Sequence, residues 1–141
     1  MDKKKYLRQA YRLDHKIQSE MREVENLKEM AGSPQSPSLE PHYNPNKQTE
    51  AYFVKCYRKI WDLEEKIESE ILLLTSLKEQ IHETIETVPD KDEQMVLRYR
   101  YIEGMSWEDI GVKLYAGRST VNRWHDQALE HMKMPDVPIW L

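Results

Sequence analysis

Six apolar residues, Phe53, Ile60, Ile67, Leu74, Ile81 and Val88, fall seven residues apart in a stretch, Thr49 to Val88, that holds neither glycine nor proline. Seven residues are close to two turns of α-helix, so one apolar line faces a partner helix along the whole segment. A strand, whose side chains alternate faces, has no use for that spacing. The intermediate positions are mixed: Cys56, Leu63, Glu70, Leu77 and Thr84, with Ile71 and Ile85 widening the stripe. At ~1.5 Å per residue such a helix reaches roughly 55–60 Å, more than a small globular domain needs.

A second long helix precedes it. Residues 5–31 also lack Gly and Pro, and Ala10, Leu13, Ile17, Val24, Leu27 and Ala31 recur at steps of three and four, interrupted by Glu20. Residues 32–46 carry four prolines and several serines, which end the helix and predict a loop. Residues 1–88 are therefore expected to form two long helices, about 5–31 and 49–88, joined by a Pro/Ser-rich loop at 32–46. The chain is all-α: a long helical hairpin or coiled coil, followed by a small helical domain at 89–134 and a tail at 135–141. Whether the helices pair within one chain or between chains is open at this level.

The two helices match at an offset of fifty: Leu13, Lys16, Ile17, Ser19, Glu20, Leu27, Lys28 and Glu29 correspond to Leu63, Lys66, Ile67, Ser69, Glu70, Leu77, Lys78 and Glu79. A shared heptad register accounts for several of these identities. Glu20 and Glu70 stand on the apolar line itself. Either they form a polar layer that fixes register, or both lean out to solvent beside the Lys four residues earlier. The second is expected, because long polar side chains can snorkel from a seam edge.

With 141 residues and a net charge of −4, the chain does not hold DNA by bulk charge, and any nucleic-acid contact must be local. One cysteine, Cys56, excludes an internal disulfide and a multi-thiolate metal cage, and points to a reducing compartment, the cytoplasm by default. The longest aliphatic run, Ile71 to Leu74, is too short to span a bilayer, and no signal-peptide pattern opens the chain.

Beyond Val88-Pro89, Asp90 with Glu93 three residues on predicts a capped helix carrying Met95, Val96, Tyr99 and Ile102 and ending at Gly104. Ser106-Trp107-Glu108-Asp109 opens a short helix with Ile110 and Leu114 inward. After Tyr115-Ala116-Gly117, a last helix runs from about Arg118 to Met132, with Val121, Ala128 and Met132 inward and Trp124 and Leu129 flanking. Short helix, three-residue turn and longer helix make the spacing of a helix-turn-helix, whose second helix enters the DNA major groove. Gly111 is small where the two helices approach. Tyr115 occupies the turn position where glycine is common, so a reshaped turn is expected.

From Lys113 to His125 the chain carries Lys113, Arg118 and Arg123 and no acid, net +3 in a chain of −4. With Val121 at the centre of the inner face, Ser119, Arg123 and Glu130 point outward, flanked by Asn122, Asp126, Gln127 and Thr120. Arg and Asn make bidentate contacts with guanine and adenine edges. The candidate DNA-binding residues are Lys113, Arg118, Ser119, Thr120, Asn122, Arg123 and Gln127.

The stretch from Glu93 to Met132, above all Val96-Leu97-Arg98-Tyr99-Arg100-Tyr101-Ile102-Glu103-Gly104-Met105-Ser106-Trp107-Glu108-Asp109-Ile110-Gly111 and then Arg118-Ser119-Thr120-Val121, resembles the carboxy-terminal helix-turn-helix domain of bacterial sigma factors. The whole arrangement is similar to small sigma-like regulators of phages and prophages of Gram-positive bacteria, in the style of the ArpU and RinA late-gene regulators. That resemblance implies a DNA-binding transcription regulator in the bacterial cytoplasm, with double-stranded DNA and RNA polymerase as partners and the long helices as a candidate homodimer interface. It implies that Arg118 reaches the phosphate backbone and that Ser119, Asn122 and Arg123 address base edges. The displaced turn glycine departs from the family pattern and bears most on Arg118.

Two other classes fit the layout: a DNA-packaging adaptor resembling a small terminase subunit, and a protein-binding coiled coil without DNA contact. Neither an enzyme, a cofactor nor a metal site is expected. No phosphate-binding Gly-rich loop is present, Cys56 lies on the helical seam, and His125 and His131, six apart, do not share a face. The apolar tail Ile139-Trp140-Leu141 either folds over the nearest core or docks a partner.

Overall fold

A computed structural model describes residues 2–32 and 49–141, the latter by backbone alone at 49–52. The described residues form helices and no strands: α1 (Lys3–Gly32), α2 (Thr49–Glu86), α3 (Lys91–Leu97), α4 (Trp107–Leu114) and α5 (Arg118–His131). Gly32 closes α1, and the remainder of the expected loop, residues 33–46, lies outside the described residues. Among the described residues no helix is long and apolar enough to cross a membrane. The chain divides into two compact units, one of residues 15–72 and one of residues 1–14 with 73–141. The division runs through both long helices.

In the unit of residues 15–72, α1 and α2 run antiparallel within one chain. Three cross-helix ion pairs define the direction: Lys16 Nζ to Glu70 Oε2 at 3.1 Å, Lys66 Nζ to Glu20 Oε2 at 3.0 Å, and Lys28 Nζ to Glu64 Oε2 at 3.5 Å. Ile17, Val24 and Ala31 are buried together with Cys56, Ile60 and Ile67, the side chains that the heptad reading placed inward. Cys56 is a buried free thiol.

The two seam glutamates do not lean out to solvent. Glu20 is only 8% exposed, and each carboxylate pairs with the lysine of the opposite helix, not with the one four residues earlier on its own. The matching residues at an offset of fifty thus become a symmetric cross, Lys16 to Glu70 and Lys66 to Glu20. The second oxygens, Glu20 Oε1 and Glu70 Oε1, are buried with no other hydrogen-bond partner. Hydrogen bonding to Glu70, and then to Lys66, holds Glu20 below the usual carboxylate range. The physical reason for the correction is geometric: a lysine reaching across the seam brings the counter-charge to the carboxylate, so the carboxylate need not leave.

The other unit buries Tyr6 and Leu7 of α1 with Leu77, Ile81, Ile85, Val96 and Leu97. Tyr6 donates its hydroxyl hydrogen to Gln80 Oε1 at 2.7 Å. The tail folds over this core: Gln80 and Gln9 hold the backbone of Val137, Ile139 and Leu141, and Trp140 meets Tyr6 edge-on at 5.8 Å. Both predicted caps are present, with Asp90 Oδ1 accepting from the Glu93 N–H and Ser106 Oγ from the Asp109 N–H. Glu93 does not complete a capping box. It is buried, and its carboxylate bonds His131 Nδ1 at 2.7 Å.

Candidate nucleic-acid interface

α4, the turn Tyr115–Gly117 and α5 form a helix-turn-helix seated on α3. Val96, Ile110 and Val121 are fully buried at its centre, surrounded by Tyr99, Met105, Trp107, Leu114, Ala116 and Trp124. Their spacings, one residue from each of three helices, let three short helices share a core that none could close alone.

The turn keeps its usual form without a glycine at its first position. Tyr115 takes the left-handed conformation (φ 51°, ψ 45°), with its ring 97% exposed, while Gly117 lies in ordinary extended backbone. The expected reshaping does not occur. The Tyr115 and Ala116 N–H groups donate to the Val112 and Gly111 carbonyls, and these bonds hold the strained residue in place. Gly111 is required for a reason more specific than helix approach: a Cβ there would stand 2.8 Å from the Ala116 carbonyl oxygen, inside the turn itself.

Between α3 and α4 the chain widens into a π-type turn, Arg98–Ile102, before Gly104 (φ 71°) stops it. The extra residue in this turn rotates the following side chains. Tyr101 is brought inward to 7% exposure, while Tyr99, against the core, and Ile102 are partly buried. The Tyr101 hydroxyl lies 2.7 Å from His125 Nε2 on α5, and Trp107 meets the same imidazole edge-on at 4.8 Å. Burial lowers the His125 pKa, helped by the nearby Lys4, and burial raises that of Tyr101. A neutral Tyr–His pair therefore pins α5 from behind. The sequence reading passed over both residues. The signal was present for His125, which completes the inward series Val121, His125, Ala128, Met132.

With its inner face so held, α5 presents the predicted residues outward. Arg118, Ser119, Asn122 and Arg123 are exposed, as is Lys113 in the last turn of α4; Thr120 and Gln127 are partly buried at the edges. The first turn of α5 contains no acid and Gly117 supplies no side-chain cap, so its first N–H groups and Arg118 are open to an anion. At the other end Lys3 Nζ donates to the carbonyls of Leu129 (2.8 Å) and Met132 (2.7 Å), a cation capping the negative end of the helix. The exposed acids Asp126 and Glu130 lie in the later turns, which confines a phosphate-compatible surface to the first two.

These features define the class: an all-α helix-turn-helix protein with an outward polar helix that carries arginine, serine and asparagine. A family model described as "Protein of unknown function (DUF722)" matches residues 12–134, and the chain belongs to that family. Over 62 residues, 44% of the chain, it is 36% identical to the RNA polymerase sigma factor FliA of Escherichia coli K12, and equally so to that of Yersinia enterocolitica. The match covers 26% of each sigma factor, so the chain spans about a quarter of the length of these relatives. No solved structure gives a significant match.

Proposed function

We propose that the protein is a DNA-binding, sigma-like transcription regulator of phage or prophage genes, without enzymatic activity, that acts with RNA polymerase in the cytoplasm of a bacterial host. The observation that carries this proposal is the outward face of α5, with Arg118, Ser119, Asn122 and Arg123 exposed on a helix whose inner face is locked by Val121 and His125. Rigid presentation lets a few side chains read base edges. The likeness to a sigma factor named for RNA polymerase supports the polymerase partnership, and the phage setting follows the sequence resemblance. Few exposed cations on α5 mean few phosphate contacts and weak binding alone, so a second half-site or a polymerase contact supplies the rest.

The long helices serve as a homodimer interface in this proposal. Val54, Tyr57 and Trp61 stand 52%, 59% and 66% exposed on α2 at helical spacing, a ridge of large apolar groups uncovered by the described residues of the unit that holds them. Sedimentation of the wild type as a dimer and of Trp61→Glu as a monomer is the expected outcome.

Selection of bound sequences from a random duplex pool, with and without RNA polymerase, tests the main proposal. Enrichment of a defined site, lost in Arg123→Ala, is expected. Enrichment only with polymerase identifies an accessory role, and no enrichment in either arm overturns DNA recognition.

A further inference from the structure

Residues 2–14 carry Lys3, Lys4, Lys5, Arg8 and Arg12 against Asp2 and Asp14. Three lysines at the start of α1 face the positive end of its own dipole, an unfavourable placement for the helix. Lys3 is accounted for by its bonds to the end of α5. Lys4, Arg8 and Arg12 are exposed on one face at four-residue spacing, a line of about 12 Å.

Arg8 and Arg12 line an open cleft of about 400 Å³ together with Arg100, Tyr101, Gly104 and Ser106, and no carboxylate lines it. Arg100 is held rigidly, with its Nη1 donating to the Met105 carbonyl at 3.0 Å and its guanidinium 4.6 Å over the Trp107 ring. The three guanidiniums line this cleft without a carboxylate among them, while Arg8 and Arg12 also line a neighbouring cleft with Asp2; two or more guanidiniums facing one space repel one another, and an anion there relieves that repulsion. Guanidinium forks fit phosphate oxygens in two-point contacts. Trp107, under the Arg100 guanidinium, lines a neighbouring groove with Glu108 and Arg118. Cations thus stand on both sides of the start of α4, whose own first turn carries Glu108 and Asp109. An open cleft, with Lys4 exposed on the same face of α1, suits a polyanion better than a small enclosed ion.

We infer that Arg8, Arg12 and Arg100 form a second phosphate-binding site that grips the DNA backbone beside the helix-turn-helix. The inference rests on the DNA-binding proposal and extends the footprint to the N-terminal turns of α1. The site neutralises phosphates without reading bases, so it strengthens binding to all duplex sequences alike.

The test is fluorescence anisotropy of a labelled random-sequence duplex of about 30 base pairs, titrated with full-length protein between about 50 and 200 mM salt. Each lost phosphate contact reduces the log–log salt slope by about 0.9. Arg8→Gln/Arg12→Gln is expected to reduce it by about 2 and to weaken binding at low salt about tenfold or more. Lys55→Gln/Lys59→Gln, which removes the same charge from exposed positions on α2, leaves the slope unchanged. Thermal melting of both doubles checks that they fold. Equal losses from the two doubles overturn the inference in favour of net charge. If Arg123→Ala weakens binding while Arg8→Gln/Arg12→Gln changes neither slope nor affinity, the inference fails and the DNA-binding proposal stands. Absence of binding by the wild type even at low salt overturns both.

Discussion

The α1–α2 pair of residues 15–72 and the helix-turn-helix of α4 and α5 use the same helical periodicity to opposite effect. In the pair, the seam is regular, and its centre is a charged layer of two glutamates and two lysines crossing between the helices. In the helix-turn-helix, the core is small, aromatic and closed by one neutral hydrogen bond between Tyr101 and His125. The long seam gains little uniqueness from its repeat, since a slip by one heptad preserves apolar contact. A charged layer penalises that slip. The small core has no such freedom, because three short helices meet at a single point and shape alone selects the packing.

Truncating the small core should produce the largest effect. Ile110→Ala removes a fully buried side chain at the meeting point of α3, α4 and α5 and is expected to destabilise that unit by about 2–5 kcal/mol, read as an early melting transition in thermal denaturation. Loss within the scatter of surface substitutions would show that the two regions are held alike.

Replacing the polar layer should act in the other direction. Glu20→Leu with Glu70→Leu is expected to leave stability unchanged or raise it by about 1–4 kcal/mol, because two partly desolvated carboxyls are exchanged for apolar contact. The accompanying loss of register, visible as a mixture of oligomers in sedimentation, would tie the layer to specificity. A marked fall in melting temperature would instead make the layer a source of stability.

The turn provides a smaller effect. Tyr115→Gly relieves a left-handed residue with a Cβ and is expected to stabilise the helix-turn-helix by about 1 kcal/mol, raising its melting temperature without altering DNA binding. No gain would mean that the exposed ring makes contacts worth as much as the strain.

The smallest effects are in pH dependence, and the two histidines of α5 oppose each other. His125 is depressed by burial: below its ordinary value of 6.5 the unfolded chain takes up a proton that the folded chain does not, and stability falls with pH. His131 is raised by its hydrogen bond to Glu93. Its contribution is complete below 6.5 and is lost as pH rises through the higher folded value. Relative to the wild type, His125→Gln should flatten the acid side of a melting-temperature profile, and His131→Gln the side above 6.5.

Much of the fold was legible in residue order. Helix boundaries followed from the Gly- and Pro-free stretches and fell within a few residues of those observed, and Asp90, Ser106 and Gly104 marked caps that the structure contains. These are signals between residues close in sequence, where local backbone chemistry decides. The outward set Arg118, Ser119, Asn122 and Arg123 was equally legible, because exposure on a helix follows from its angle to a recognisable inner residue, Val121. The π-type turn was not, since it depends on packing behind α4 and carries no composition of its own; it buries Tyr101, which the sequence did not single out.

Sequence by itself determined that this protein is all-α, that a seven-residue repeat runs through its longer helix, and that a helix-turn-helix with a basic leading edge follows. Periodicity and caps are short-range properties, and the chain states them openly. Only the tertiary structure decided that Lys16 and Lys66 serve the carboxylates of the opposite helix, that Tyr101 and His125 lock α5, and that Lys3 caps a helix 126 residues away in sequence. The same holds for the gathering of Arg8 and Arg12 with Arg100 around one cleft. Such pairings join residues far apart in the chain, and which of many similar Lys, Arg and Glu side chains come together depends on how the helices pack.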